Sequence, residues 1–366
     1  MAQLPDAARI GGMGVLMVAV AVMLLTGSTN TVLMKFMVLQ EVTTGTGMPP
    51  QYFHQPYFQT MLMMIGEFLC LIAFYATTSR EDVKKVQEVP NHIFMVACVL
   101  DWTATTLVNF AYVFIAASVA QMTRGSIVIF TCLLSVTFLG RKQQPYHIAG
   151  VVLVFVGITL VSLSTFFNPA AAHGDHPARS GTTQMFGIGL CISAQVFQAS
   201  MLVYEEKIMS QYNVPPLRLV GMEGFFGILI GGIVLSALNA FSVESTPAAI
   251  YQLTHSTPLL IAAVGSIFSI AFFNFAGVTV TQQASAVARS TIDVSRTILI
   301  WAVELAFGWN SFNVLQLIGF VVLAAGTMLY NRLIVLPMLE PRGEAEALVM
   351  GLKKLGAGPA AKASDP

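Results

Sequence analysis

Charge is what this chain has least of: 10% of its 366 residues are Asp, Glu, Lys or Arg, where soluble domains carry about 25%. Eighteen basic residues are balanced by eighteen acidic ones, which leaves neither a polybasic face nor an acidic tail and excludes nucleic-acid binding. Cysteine is scarce as well. Cys70, Cys98, Cys132 and Cys191 fall inside apolar runs, without the close pairing of a zinc site or a secreted disulfide framework, and read as small buried hydrophobes. A GxxxxGK[ST] loop, an HExxH pair and a Ser/His/Asp arrangement suited to an intramembrane hydrolase are all missing. The six histidines, His54, His92, His147, His173, His176 and His255, lie in loops or at the ends of apolar runs. Neither an enzyme nor an ATP-driven pump is expected, and no metal or cofactor is called for.

Apolar residues fill the space that charge vacates, at 55% of the chain. A bilayer core takes about 20 predominantly apolar residues per helix. Ten such stretches occur, at 10–35, 57–77, 92–116, 117–139, 146–166, 184–206, 217–240, 257–280, 283–308 and 312–334. The first is too long for a signal peptide and has only Arg9 as a basic start. The third and fourth run together, with Ala116, Ala117 and Ser118 as the joint. The expected fold class is therefore all-α integral membrane with ten transmembrane helices. Loops at 38–56, 168–183 and 241–256 are rich in Gly, Pro, Ser and Thr, and the tail at 339–366 reads as a disordered cytosolic segment.

Basic residues orient the spans, because cytoplasmic loops retain them. With both termini cytosolic, thirteen of the eighteen fall on that side, Lys35 and Arg179 fall opposite, and Arg124, Arg289 and Arg296 lie within spans.

The two halves echo each other. Asn109-Phe110-Ala111 followed by Ala117-Ser118 is answered by Asn274-Phe275-Ala276 followed by Ala284-Ser285. Gly150 and Gly157 match Gly319 and Gly326, Lys35 matches Lys207, and Glu67 beside Gly66 matches Glu223 beside Gly224. Five spans are an odd number, so the second copy would enter the membrane in the opposite direction. The expected organisation is a first repeat at 1–166, a loop at 167–183 and an inverted second repeat at 184–338, the five-plus-five inverted repeat by which transporters build two gates around one midplane site.

A charge at the bilayer centre costs at least about 2.5 kcal/mol, so each one kept there needs a reason. Arg289, Asp293 and Arg296 stand at i, i+4 and i+7 and fall within about 60° of one another on a helix, with Glu304 about 20° beyond. One carboxylate cannot neutralise two guanidiniums, so this stripe, with Arg124, suggests a face for a phosphate or carboxylate. The alternative is a salt-bridge ladder between helices. Glu67, Asp101 and Glu223 form a separate acidic set able to carry a proton, or else to bond to backbone at a broken helix. Gln195 and Gln198 are placed to read substrate hydroxyls, or simply to pack between helices. Glu205 and Glu206 are expected at the cytosolic interface.

Long strings carry a family resemblance: LLTGSTNTVLMKF at 24–36, MIGEFLCLIAFY at 64–75, QMTRGSIVIFTCLLSVTFLGRK at 121–142, VPPLRLVGMEGFFG at 214–227, SIAFFNFAG at 269–277, ASAVARSTIDVSRTILIW at 284–301 and QLIGFVVLAAGTMLYN at 316–331. Together they cover about 10–335, and the chain resembles the drug/metabolite transporter superfamily, within it the F branch of the solute carrier 35, nucleotide-sugar-transporter-like family. That resemblance implies ten helices in a five-plus-five inverted repeat, alternating access, and an intracellular membrane of lysosomal, Golgi-like or mitochondrial type. It leaves the substrate open.

The leading expectation is a secondary transporter or exchanger of an anionic small molecule such as a nucleotide sugar. Beside it stand a proton-coupled exporter of cationic or zwitterionic solutes and a non-transporting membrane scaffold. The lipid bilayer is the constant partner, and monomer and homodimer are both open. Epitope tags at both termini should be reached by antibody once the plasma membrane alone is permeabilised, while a tag at 168–183 should stay hidden until the organelle is opened. Termini on opposite sides would end the even-numbered topology.

Overall fold

The computed structural model describes residues 6–38, 40–43, 50–53, 55–79, 89–114, 124–167, 181–307, 312 and 314–336. The joint at 116–118, the loop at 168–180, the tail at 339–366 and the side chains of Lys35, Asn109, Phe110 and Glu304 lie outside the described residues. Within them the chain forms eleven helices and one small sheet: α1 (Asp6–Val38), β1 (Glu41–Thr43), β2 (Pro50–Tyr52), α2 (Pro56–Thr77), α3 (His92–Phe114), α4 (Ile127–Leu139), α5 (Pro145–Phe167), α6 (Gly181–Tyr212), α7 (Pro216–Ala240), α8 (Thr246–His255), α9 (Thr257–Gln283), α10 (Ala286–Ala306) and α11 (Val314–Tyr330).

Five stretches are long and apolar enough to cross a membrane, Gly14–Val38, Pro56–Thr77, Phe186–Tyr212, Pro216–Ala240 and Thr257–Gln283. Four shorter apolar ones, His92–Val108, Ile127–Leu139, Pro145–Leu160 and Val314–Tyr330, accompany them. The charged α10 falls in neither set. Half or less of each long stretch is buried inside the protein. Outward-facing Ile233 (72% exposed), Ile261 (66%) and Leu25 (63%) make an apolar exterior that water would not tolerate. The protein is an all-α, multi-pass membrane protein.

Helix ends follow local chemistry. Proline opens α2 and α7, where its missing N–H costs nothing. Ser245, Ser256 and Ser285 cap α8, α9 and α10 by accepting from Ala248, Leu259 and Ala288 amides. Gly140, at φ +62°, turns the chain out of α4 in a left-handed conformation that residues with a Cβ adopt at a cost.

Small residues let the helices touch. α5 lies along α11, and a Cβ on Gly157 would stand 2.6 Å from the Leu323 amide nitrogen, while one on Gly326 would stand 2.6 Å from that of Val154. With lipid as apolar as leucine, such backbone contact is what holds membrane helices together. α2 packs on α7 in the same manner, with Gly221 against the backbone of Leu71 and Gly224 against that of Phe68. Further close pairs are α1 with α9, α3 with α6, α2 with α9, α3 with α7, α4 with α6, α1 with α10 and α4 with α10.

Two connections expected to be irregular contain regular elements among their described residues. Within 38–56, β1 and β2 pair antiparallel with Val42 opposite Gln51. Within 241–256, α8 forms and buries Ala249 and Leu253 in one apolar cluster with Met37, Val42 and Phe53. The Gln252 side-chain amide donates to the Val42 carbonyl at 3.3 Å. Composition suggested loops, but long-range burial of a few apolar residues overrode it. Glu244, just before α8, is buried and accepts from the Tyr57 and Phe58 amides at 3.1 and 2.7 Å, capping α2 from the far half of the chain. Burial pushes its carboxyl above the ordinary range, against the pull of those two amides.

Gly157→Val should lower the thermal stability of the detergent-purified protein by about 1 to 3 kcal/mol through overpacking. Gly232→Ala, where a Cβ meets nothing within 4 Å, should leave it unchanged or slightly raised. Equal melting of the two variants would show that the α5–α11 contact does not limit stability.

Candidate functional site

The buried polar groups are set by α2, α3, α6, α7, α9 and α10. α6 is a single helix of 32 residues, so Gln198 and Glu205, seven positions apart, share a face about 10 Å from each other along the axis. Because α6 runs on to Tyr212, Lys207 does not close it and Glu205 and Glu206 are not at its end. Both carboxylates are buried, Glu205 completely. The two carboxylates are buried rather than surface-exposed because adjacent residues point about 100° apart on a helix and each meets its own partner within the protein.

Glu206 accepts from the Ala286 amide at 2.6 Å and pairs with Arg141 just beyond α4. The first turn of α10 is thus held by a side chain of α6, where unsatisfied amides and the helix dipole favour an anion. Glu205 pairs with Arg289, one turn into α10. Gly277 on α9 makes room for that guanidinium, since a Cβ there would lie 2.7 Å from Arg289 Nε.

Three more carboxylates gather around this pair. Glu67 on α2 is buried and accepts from the Asn274 amide of α9 at 2.5 Å. Asp101 on α3 accepts from Gln198 at 3.3 Å. Glu223 on α7 is buried within hydrogen-bonding reach of Glu205. One oxygen of Glu205 and one of Glu223 meet no donor among the described residues. Arg289 is the one cation among the described residues that bears on all four carboxylates.

The stripe anticipated along α10 divides. Arg289 turns to α6, whereas Arg296 pairs with Asp293 at 3.2 Å and lies over the Phe273 ring, 4.8 Å from its centroid. Gly27 of α1 leaves space for it. That ion pair is a charge contact rather than an aligned hydrogen bond, since Asp293 Oδ1 has no hydrogen-bond partner. Arg124 is exposed and within electrostatic range of Arg296. The positive excess expected between Arg289 and Arg296 is therefore absent at Arg289, where carboxylates outnumber the cation. Gln195 is buried on α6. Cys70, Cys98 and Cys191 are buried and Cys132 partly so, and none forms a disulfide.

Glu205 and Asn274 belong to the cluster, although the sequence pattern assigns the first to the cytosolic interface and the second only to the internal repeat. The spacing of seven between Gln198 and Glu205 was the available signal. Among the described residues no group of His, Cys, Asp and Glu is arranged to hold a metal.

A lipid-facing helical bundle with a charged, buried centre is an arrangement that membrane solute transporters use. The chain belongs to the UAA transporter family, whose model matches residues 19–334. It is 36% identical to human (Homo sapiens) solute carrier family 35 member F6 over 329 residues, 85% of this chain and 87% of that protein. The mouse (Mus musculus) protein of that name is 36% identical over 330 residues, again 85% of this chain and 87% of the other. An uncharacterized protein of Schizosaccharomyces pombe is 30% identical over 335 residues, 87% of this chain and 98% of its own length. The chain is thus a solute carrier 35 protein of the F branch. A solved structure titled "Crystal structure of protein" shares the fold, with a TM-score of 0.63 at 14% identity, covering 87% of this chain and 96% of its own.

Arg289→Gln should destabilise the protein by about 3 to 5 kcal/mol, because it strands a buried carboxylate. Glu205→Gln should cost less, since Glu67 and Glu223 remain to face Arg289. Joining the two should recover part of the loss in a thermal melt. An Arg289→Gln no worse than Glu205→Gln would mean that the cluster does not lean on its cation.

Proposed function

We propose that this protein is an alternating-access secondary transporter of an intracellular membrane that exchanges protons for a small cationic or zwitterionic solute. The observation that carries this is the ratio of four carboxylates, Glu67, Asp101, Glu205 and Glu223, to the single guanidinium of Arg289. In a site without bulk water, the surplus must be met by protons or by a positively charged substrate. Those two occupants compete for the same oxygens, and that competition is the basis of exchange.

Ten spans arranged as an inverted repeat, 1–166 and 184–338, supply the moving parts. Helix pairing supports this reading. Exchanging each long helix with its counterpart five spans later turns α1 against α9 into α6 against α3, α2 against α9 into α7 against α3, and α1 against α10 into α6 against α4. The pairs α2 with α7, α4 with α10 and α5 with α11 map onto themselves. The first and second repeats would then rock about a cluster to which both contribute carboxylates. Gln198 and Gln195 would orient the solute.

An anionic solute such as a nucleotide sugar has its own support in the Arg296 and Arg124 neighbourhood, where Asp293 is the balancing acid. Proteoliposomes separate the two. An opposing proton gradient should drive accumulation of cationic or zwitterionic metabolites, and Glu223→Gln should slow it about tenfold or more, the equivalent of one lost charge-assisted contact. Nucleotide-sugar exchange indifferent to pH, surviving Glu67→Gln and Glu223→Gln but lost in Arg296→Lys, would select the anionic reading. Absence of flux across both panels would leave the scaffold.

A further inference from the structure

Residues of α4, of α5 and of the segment between them line an open cleft of about 780 Å³. Its walls are Ile129, Leu133, Val136, Ile148 and Val151, all exposed but Val151, Leu133 (58%) and Ile148 (54%) the most. One end is capped by the polar segment Gly140 to Gln143, which brings the exposed side chains of Arg141 and Lys142 to the mouth. Arg141 is anchored from behind by buried Glu206 and still keeps 44% of its side chain accessible. Arg332, at the end of α11, stacks over the Tyr146 ring of α5 at 4.8 Å from its centroid, close enough to act electrostatically on His147, as Arg141 does. Two basic residues thus line the mouth of an apolar slot, and the segment 140–147 contains no acid.

A slot walled by apolar residues along its length and cationic at one end matches one kind of molecule in a bilayer. We propose that this cleft binds an anionic phospholipid, an acyl chain between α4 and α5 and the phosphate at Arg141 and Lys142. Charge complementarity carries the choice, because the phosphate of a zwitterionic lipid is already balanced by its own ammonium group, whereas an anionic lipid brings a net negative charge to these cations. On the orientation that the basic residues favour, the mouth opens on the cytosolic leaflet, where anionic lipids are concentrated and each nearby Lys or Arg adds to the attraction. Arg141 is already positioned by Glu206, so binding need not order a free side chain.

The full-length protein in neutral detergent is titrated with short-chain phosphatidylserine, phosphatidylcholine of equal chain length, and chain-free glycerophosphoserine. Bound lipid is read by native mass spectrometry and stability by thermal midpoint. Phosphatidylserine should bind about fivefold more tightly than phosphatidylcholine, the gain expected for one charge at the surface, and glycerophosphoserine should do nothing. Lys142→Gln should remove most of that preference. Ile148→Trp, which fills the slot from an exposed position, should reduce binding of both lipids. The proposal is overturned by equal binding of the two lipids, by a preference that survives both variants, or by stabilisation from glycerophosphoserine alone, which would indicate a free-anion site. A mass showing two copies that Ile148→Trp separates would also overturn it, by assigning the cleft to a second chain.

Discussion

The pairing of Arg289 with Glu205 is the interaction around which the buried centre is arranged. Both groups are buried away from solvent, so each must be neutralised by the other or by a neighbour. Their adjacency in space depends on two neighbouring residues of α6. Glu205 takes the side chain of α10 while Glu206 takes its first backbone amide. α10 is therefore gripped by charge at its side chain and by hydrogen bonding at its end, and its start at Ala286 follows from that grip together with the Ser285 cap.

Glycine makes this arrangement possible. A guanidinium can lie against α9 only because Gly277 has no side chain, and another lies against α1 because of Gly27. Elsewhere the same device serves cohesion: α5 meets α11 and α2 meets α7 backbone to backbone. Membrane helices gain little from hydrophobic burial against one another, so close van der Waals approach and satisfied polar groups have to supply the attraction. The two requirements divide the bundle between them, with small residues at the helix crossings and ionic partners in the centre.

That centre is acidic where it is deepest. Four carboxylates from four helices lie within electrostatic range of one guanidinium, and Glu205 alone pairs with it. The second neighbourhood, of Asp293 and Arg296 beside Phe273, is nearly self-sufficient, and its aromatic contact stabilises the cation without adding an acid.

Membrane character, the positions of the long helices and the identity of most charged centre residues were legible in the sequence, because each depends on local quantities: the length of an apolar run, a cap residue, a charge where none is affordable. Glu67, Asp101, Glu223 and Arg289 could be named on that basis. Which charge meets which could not. The facing of Arg289 toward Glu205 and away from Arg296, the packing of the helix at 246–255 against Val42 of β1, and the reach of Glu244 to the start of α2 all join residues far apart in the chain. A helix's own periodicity gives the direction of a side chain only relative to its helix. The partner is decided by how the helices rotate and cross, and that is set by the summed packing of all of them.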